Sequence, residues 1–502
     1  MRNEMFSLMK KSAQAKIWTI LALVFLADFL FYNHAAGWTI GFFGAVLVAF
    51  YLLHNRPDQN SPMALIIIIL TLGQSLVLIE KQSGLSFCLM ALGLISLSLL
   101  NREDWKNNGS LWLRYCFLWL VRFLYPLRRL NKAYRKYQTR YIPPSSAMIF
   151  IRGWFLPLIF SGLFLFLFSQ ANPIIQNWFK DFDVTWFFKG FSLRRMMFWL
   201  IMAGLMCSII RPRLKSRARQ KKKKSAYYKK PDEMSLTQWA FSKEAVLRSL
   251  VIFNVMFAVQ TLMDVNYLWA GSILPEGFSY AEYAHKGAYP LIITALLAAL
   301  FVLITQSSDN GISGSSIIKN LTYVWVVQNI VLVFSSIYRT GLYVEIYALT
   351  YWRVAAFIWM GLVAAGLFWI ILRGVWERSN IWLINANIVT LLTTLYITSF
   401  VNIGGYIAHY NIARSKEMTG RGVSLDLNYL EQIGSASIPA LETALENGDI
   451  RLAMTMGNIE KDLKRNMDDW RRWTYSEHRL QKYLQIRIEE YSYEGWVFGQ
   501  EE

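Results

Sequence analysis

The chain has 502 residues, of which 55% are hydrophobic and 17% are charged, and its formal net charge is +19. A typical globular domain is about 45–50% apolar and about 25% charged, so this composition argues against an ordinary soluble protein. The apolar residues form runs of roughly 17–25 residues, the length a helix needs to cross a hydrocarbon core about 30 Å thick. The basic residues fall in loops between these runs and not on one groove-binding element, which argues against nucleic acid as a partner.

The apolar runs are predicted to be transmembrane helices, because a helix satisfies its own backbone hydrogen bonds inside lipid. The eleven predicted spans are residues 17–33, 37–54, 63–79, 84–100, 147–169, 196–211, 246–270, 288–306, 321–338, 354–373 and 381–403. We therefore predict an all-α fold, a polytopic helical membrane bundle of about eleven transmembrane helices. A small helical extramembrane domain follows it at the C-terminus.

The distribution of Lys and Arg predicts how the chain is oriented. The N-terminal arm and the loops after spans four and six are basic, and all three share one side if every span is counted. We expect that side to be the cytoplasm of a bacterium, with the N-terminus inside and the C-terminus outside the cytoplasmic membrane. One predicted outer loop departs slightly from this pattern, because it carries the basic residues Lys180, Lys189, Arg194 and Arg195.

This orientation divides the chain into six segments. They are a four-span segment at 1–100, a basic cytoplasmic loop at 101–146, a two-span segment at 147–211, a polybasic cytoplasmic loop at 212–245, a five-span core at 246–405 and a helical extracytoplasmic tail at 406–502. In the first loop, Ser110–Tyr125 is apolar but contains Arg114 and Arg122. An arginine at the bilayer centre costs roughly 2.5–3.5 kcal/mol, so we expect this helix to lie on the membrane surface. If it crossed instead, every later segment would invert.

The tail carries more acidic than basic residues and has apolar positions at helical spacing. It is predicted to form helices at Ile438–Glu446, Ile450–Met456, Ile459–Trp470 and Glu477–Tyr491. The side chains expected in its core are Trp470, Trp473, Leu480, Tyr483, Leu484 and Ile488.

Ionisable and amide side chains gather at the predicted outer rim of the five-span core. The candidate site residues are Asp264, Asn266, Glu282, His285, Arg339, Glu345 and Arg353. One interpretation is a site for a polar headgroup, an ion or protons, because charged groups at membrane depth are costly and usually serve a function. The other is that Glu282, Glu345, Arg339 and Arg353 form ion pairs that hold the loops together.

Three smaller sets of polar residues suggest more specific roles. Glu282 and His285 share a helix face, but di-iron bundles need such a Glu-x-x-His motif twice, so no metal and no cofactor is predicted. Asp28 in span one either relays protons or hydrogen-bonds a neighbouring helix. The span amides Asn385 and Asn387 either join helices or contribute to the outer site.

The polybasic loop has a simple physical use. Lys and Arg beside a span bind anionic lipid at about 1 kcal/mol each. The residues predicted to anchor the chain to anionic headgroups are Arg217, Arg219, Lys221, Lys222, Lys223 and Lys224. An acidic cytosolic partner is the alternative ligand for this loop.

Several stretches resemble one bacterial multi-pass membrane family. They are Asp264–Leu291, which includes Leu274-Pro-Glu-Gly-Phe-Ser-Tyr-Ala-Glu-Tyr-Ala-His285, and then Gln328-Asn329, Leu342–Arg353, Tyr410–Arg414, Asp426–Leu430 and Pro439–Leu441. The chain is similar there to the family of domain of unknown function 4173, close to its 4153 relatives. The resemblance covers about residues 240–445 and implies a membrane protein without assigning an activity.

Two functions fit these features. The first is transport or lipid handling through a polar site near the outer leaflet. The second is a non-enzymatic signalling or scaffold protein that uses the tail to bind a protein partner. No GxSxG or GxxxxGK[ST] motif occurs, so an enzyme is not predicted.

The predicted topology is testable by thiol labelling in intact and opened cells, in a variant whose three native cysteines are replaced by alanine. We expect Ser272→Cys and a C-terminal cysteine to react from outside, and Lys222→Cys to react only after the cells are opened. The opposite pattern would show that the orientation is inverted.

Overall fold

The computed structural model describes residues 2–55, 61–100, 105–122, 161, 192–210, 243–269, 316–445 and 450–498. Within these ranges the regular elements are helices and none is a strand, which confirms the predicted all-α class. The helices before the tail are α1 (Arg2–Phe31), α2 (Thr39–Asn55), α3 (Pro62–Glu80), α4 (Gly84–Leu99), α5 (Gly109–Arg122), α6 (Leu193–Ile210), α7 (Lys243–Asp264), α8 (Ser316–Tyr347), α9 (Tyr351–Val375) and α10 (Asn380–Phe400).

The remaining helices form the tail. They are α11 (Ile403–Ala413), α12 (Lys416–Thr419), α13 (Leu427–Ile433), α14 (Ile438–Leu445), α15 (Ile450–Met467) and α16 (Tyr475–Phe498), and a 3₁₀ turn at Gly434–Ser437 precedes α14. Helices α9, α10 and α11 each begin at a polar cap, where Thr350, Ser379 or Asn402 accepts a backbone N–H from the first turn.

Five of the described helices are long and apolar enough to cross a membrane: α3, α7, α8, α9 and α10. They make the chain a multi-pass membrane protein. The predicted count of eleven is not confirmed. Helices α2 and α4 have 17 and 16 residues and reach only about 24–26 Å at 1.5 Å per residue. The predicted span at 288–306 lies outside the described residues, as does that at 147–169 apart from Ser161.

Large apolar side chains cover the outer faces of these helices. Examples on α7 are Ile252, Val255, Met256 and Leu262, which are 57%, 59%, 61% and 68% exposed. In water such a continuous apolar surface would be an aggregation site, whereas lipid tails solvate it without cost. The exposed faces therefore agree with the membrane assignment.

The described chain divides into two compact units, of which the first comprises Met1–Leu76, Met90–Arg102 and Arg114–Lys215. In this unit Asp28 of α1 binds α6. Its Oδ1 accepts hydrogen bonds from Arg195 Nε at 3.0 Å and from Trp199 Nε1 at 2.8 Å, and its Oδ2 forms an ion pair with Arg195. Of the two roles considered for Asp28, this geometry supports the helix-joining one. The same contact neutralises Arg195, one of the four basic residues in the basic outer loop that the sequence predicts.

The second unit comprises Val77–Leu89, Glu103–Leu113 and Ser216–Glu502, and its membrane part is α7 to α10. Its core is apolar and is built from one face of each helix, with Leu250, Val326, Met360, Leu367 and Leu383 buried at its centre. The indole of Trp325 stacks between two rings of α7, with centroid distances of 5.1 Å to Phe253 and 5.9 Å to Phe257.

The tail lies at the end of this unit where α8 and α10 finish. Asn411 of α11 clamps the turn between α8 and α9, because its Oδ1 accepts Leu349 N–H at 2.7 Å and its Nδ2 donates to Leu349 O at 2.9 Å. The hydroxyl of Tyr429 accepts Tyr351 N–H at 2.9 Å. The end of α3 meets the same region, since Glu80 forms an ion pair with Arg479.

The loop after α3 adds a further contact to this end of the unit. Lys81 Nζ donates to Val401 O at 2.6 Å, and burial lowers the pKa of Lys81. The opposite end of the unit holds the start of α5. There Asn385 of α10 accepts Gly109 N–H at 2.7 Å and donates to Asn107 O at 3.1 Å. Asn385 therefore joins α10 to α5, which supports the helix-joining interpretation of that amide.

The predicted core of the tail is partly wrong. Trp470 and Tyr483 are each 47% exposed, and the core is built instead by α11 and α13 to α15. The reason is that Ile450–Met467 is one continuous helix where two were expected, so that Leu452, Ile459 and Leu463 share a single buried face. Leu480 and Leu484 pack against this core as predicted. The side chain of Ile488 lies outside the described residues.

Helix α5 confirms the predicted helix at Ser110–Tyr125 as far as Arg122. Trp112, Cys116 and Trp119 are buried on one face, while Phe117 and Leu120 are exposed on the other. Its 14 described residues extend about 21 Å at 1.5 Å per residue, and the residues that follow Arg122 lie outside the described part of the chain. Its position on the membrane surface stays a prediction.

Candidate functional site

A fully buried ion pair joins the last residue of α7 to α8. Asp264 accepts a hydrogen bond from Arg339 Nη2, and the two side chains are 0% and 3% exposed. Gln260, one turn earlier on α7, donates its Nε2 to the same oxygen of Asp264 at 3.0 Å. Removing a charge from water costs several kcal/mol even in real proteins, so both charges are held here by their mutual attraction.

The backbone of α7 changes at this pair. Val265–Trp269 forms a π-helical turn directly after Asp264. π-Helical turns are rare, but those that occur within α-helices are often found at functional sites. Such a turn redirects a side chain and weakens the backbone hydrogen bonds of the helix. Asn266 lies in this turn and is exposed.

Polar side chains continue from the pair along the buried face of α8. Thr322, Asn329 and Ser336 are seven residues apart and are 3%, 1% and 1% exposed. Each donates to the carbonyl four residues earlier, at 2.8, 2.7 and 2.9 Å. Seven residues are nearly two helical turns, so these groups form one column. From Thr322 to Arg339 the column rises about 25 Å, most of the hydrocarbon thickness.

The facing side of α7 carries matching amides. Asn254 Nδ2 donates to Leu250 O at 2.7 Å and to Leu321 O at 3.1 Å, and Gln328 Nε2 donates to Asn254 O at 3.3 Å. Together with the Asp264–Arg339 pair, these contacts show that α7 and α8 run parallel, since later residues of one meet later residues of the other. We call the buried and half-buried polar side chains of these two helices the polar column: Asn254, Gln260, Thr261, Asp264, Thr322, Gln328, Asn329, Ser335, Ser336, Arg339 and Thr340.

Several oxygen atoms of the polar column receive no hydrogen bond within the described part of the chain. They are Asn254 Oδ1, Thr261 Oγ1, Gln328 Oε1, Asn329 Oδ1 and Ser335 Oγ. A buried polar atom without a partner costs about 1–3 kcal/mol, and natural proteins keep few of them. A row of such acceptors in one column is suited to binding water, a proton carrier or a small cation.

The structure separates the other predicted site residues from this pair. Arg353 lies in the first turn of α9, where its Nη1 donates to the carbonyls of Tyr347 and Ala348 and its guanidinium lies 4.6 Å from the Tyr343 ring centre. It stabilises the turn between α8 and α9, in which Ala348 has a positive φ of 64°. Arg339 therefore pairs with Asp264, and neither arginine forms an ion pair with Glu345 in the described chain.

Glu345 lies on the last two turns of α8 and lines a cavity of about 120 Å³ at the base of the tail. The other walls come from the α8–α9 turn, α11 and the start of α13. Glu282 and His285 lie outside the described residues, and so do the anchoring residues from Arg217 to Lys224. The described ranges contain no group of three His, Cys, Asp or Glu residues able to hold a metal ion.

Sequence reasoning identifies both members of the ion pair but not most of the polar column. Asp264 and Arg339 are conspicuous as charged groups near the predicted outer rim, whereas Asn329, Ser335 and Ser336 are small or neutral groups inside a long apolar run. The signal was available in the spacing, because Thr322, Asn329 and Ser336 repeat every seven residues. Gln260 was also missed, although it is four residues before Asp264 on the same helix face.

Replacing Arg339 by glutamine should destabilise the protein by about 3–5 kcal/mol, because the Asp264 carboxylate would remain buried without its charge partner. The double variant Asp264→Asn/Arg339→Gln should recover most of this loss. Thermal unfolding in detergent measures both effects. Lys319→Gln, an exposed change on α8, is the control, and an Arg339→Gln variant as stable as this control would contradict the buried pair.

Comparison with known proteins gives one result. A family model described as Domain of unknown function (DUF4153) matches residues 62–444. No curated protein and no solved structure matches the chain. The sequence resemblance pointed to family 4173 with 4153 as its relatives, and the number 4173 is not confirmed. Because the match spans most of the sequence, the chain belongs to the family Domain of unknown function (DUF4153).

Proposed function

We propose that this membrane protein of the DUF4153 family is a transporter whose polar column carries protons to and from the Asp264–Arg339 pair. The observation that carries the proposal is this fully buried pair. It lies on helices whose buried side-chain oxygens include several that receive no hydrogen bond from the described residues. Ionisable groups inside membrane helices face cavities or partners and most often mark ion pathways and proton relays.

The chemistry of the column supports this assignment. Asn329, Ser335 and Thr261 present oxygen atoms that accept a hydrogen bond from water, which lets water molecules form a chain for proton transfer. At its end the Asp264 carboxylate is the group that takes up a proton. Protonation cancels the charge that holds Arg339, so proton arrival and the contact between α7 and α8 are coupled.

The orientation proposed for the protein rests on the same helices. Parallel helices α7 and α8 require an odd number of crossings in the chain that joins them, and the predicted span at 288–306 meets that requirement. The ends of α3, α8 and α10 meet at the tail, as the count of spans from a cytoplasmic N-terminus requires. We therefore propose a bacterial cytoplasmic membrane location, with the tail and the Asp264–Arg339 pair toward the outside.

Two partners belong to this proposal. Arg217, Arg219 and Lys221 to Lys224 would bind anionic headgroups on the cytoplasmic side, since each basic group near the surface contributes about 1 kcal/mol. The tail is the surface for a protein partner. Nucleic acid is not proposed, because the basic residues are spread over separate loops.

A signalling or scaffold role is the second candidate. It is favoured by the clamp that Asn411 and Tyr429 make on the α8–α9 turn, because α8 also carries Arg339. In that role the tail would bind a partner and the ion pair would only hold helices together. Removal of residues 424–502 should then abolish function, and ion flux should not exceed background.

Proton flux into proteoliposomes distinguishes the two functions. With a potassium diffusion potential and a trapped pH-sensitive dye, the wild-type protein should admit protons well above empty liposomes. The Asp264→Asn/Arg339→Gln variant should fold but lose about tenfold or more of this flux, since neutral amides cannot exchange the proton. Lys319→Gln should keep the flux. Wild-type flux equal to that of empty liposomes, or full flux in the double variant, would contradict the transport proposal.

A further inference from the structure

The lining of the cavity at the base of the tail includes charged and aromatic residues, and none of the lining residues belongs to the polar column. Its walls are the end of α8, the α8–α9 turn, the end of α11 and the segment from Val423 to Leu430. At about 120 Å³ it is smaller than the roughly 300–1,000 Å³ of sites for drug-sized ligands, so it fits a small molecule or one end of a larger one.

Two opposite charges line this cavity without neutralising each other. The carboxylate of Glu345 forms no ion pair and no hydrogen bond with any described residue. The guanidinium of Arg414 lies 4.0 Å from the ring centre of Tyr410 and forms no side-chain hydrogen bond or ion pair with the described residues. Stacking uses the face of the guanidinium and leaves its N–H edges available for an anion.

Aromatic and acidic groups complete the lining. Tyr347, Tyr410 and Tyr429 contribute rings, and Asp426 contributes a second carboxylate, one oxygen of which accepts Tyr429 N–H at 3.0 Å to cap α13. Rings next to carboxylates bind an ammonium group through cation–π and ionic attraction. Guanidinium edges bind phosphate or carboxylate. The cavity therefore offers a cationic half-site and an anionic half-site.

The walls are held in place before any ligand binds. Asn411 fixes Leu349 through two hydrogen bonds, and Arg353 fixes the carbonyls of Tyr347 and Ala348. Glu417 accepts the N–H of Leu425 with both carboxylate oxygens, at 3.2 and 3.1 Å, which orders the segment leading to Asp426. A preorganised site avoids most of the entropy cost of ordering loops around a ligand.

We propose that this cavity is a binding site for a small zwitterion that carries an ammonium group next to a phosphate, the chemistry of phosphoethanolamine. The phosphate binds Arg414 and the ammonium binds Glu345 and Asp426 among the tyrosine rings. This chemistry has two sources, a free phosphoethanolamine and the headgroup of a phosphatidylethanolamine lipid. The site goes beyond the proposed proton transport and stands independently of it.

Titration calorimetry with the full-length protein in detergent tests the site directly, with O-phosphoethanolamine as the probe. Arg414→Gln and Glu345→Gln should each weaken binding about tenfold or more, because each removes one charged hydrogen-bonding partner. Both side chains are exposed, so the variants should unfold at the wild-type temperature. Arg421→Gln, an exposed arginine in the same segment and outside the cavity lining, is the matched control and should bind like the wild type.

The source of the ligand is tested with nanodiscs of phosphatidylethanolamine and of phosphatidylglycerol. A higher unfolding temperature in phosphatidylethanolamine, lost in Arg414→Gln, supports the lipid headgroup, and binding of the soluble probe supports the free compound. The proposal is overturned if neither form binds, or if ethanolamine or inorganic phosphate alone binds as tightly as the zwitterion. It is also overturned if Arg421→Gln weakens binding as much as Arg414→Gln.

Discussion

The cost of placing a charge in lipid governs the arrangement of the second unit. Asp264 and Arg339 are almost completely buried, so each is stable only beside the other, and this fixes the end of α7 against one turn of α8. The parallel direction of the two helices and the alignment of their amides follow from that contact. The same principle operates in the first unit, where Asp28 holds Arg195 and thereby joins α1 to α6.

Opposite requirements meet on α8. Its outer face is apolar and suits lipid, with Val324, Val327 and Phe334 about half exposed, while its inner face carries hydroxyl, amide and guanidinium groups. Stability alone would favour apolar packing on that inner face, because such packing avoids oxygens without donors. A function therefore explains the polar column better than a contribution to the stability of the fold does. The same reasoning applies to the cavity at the tail, because Glu345 and Arg414 both line it but do not form an ion pair with each other.

Much of this fold could be predicted from the sequence, for reasons that are local. Continuous apolar runs determine helices in lipid, and turn and cap residues such as Ser379 and Asn402 determine where α10 and α11 begin. Asp264, Arg339 and Glu345 were identifiable because charged residues are rare at membrane depth. The pairing of Arg339 with Asp264, and not with Glu345, depends on long-range helix packing. The same holds for the tail core, where a continuous α15 replaced two shorter helices.

The central claim is that the polar column is open to water while the outer face of α8 is not. It is tested by the reaction of single cysteines with a charged thiol reagent, in protein reconstituted into lipid and freed of Cys88, Cys116 and Cys207. Ser335→Cys should react, because its side chain faces the column. Phe334→Cys lies at the same depth but faces lipid, and it should stay unmodified. An unreactive Ser335→Cys, or a Phe334→Cys that reacts as fast, would contradict a hydrated column between α7 and α8.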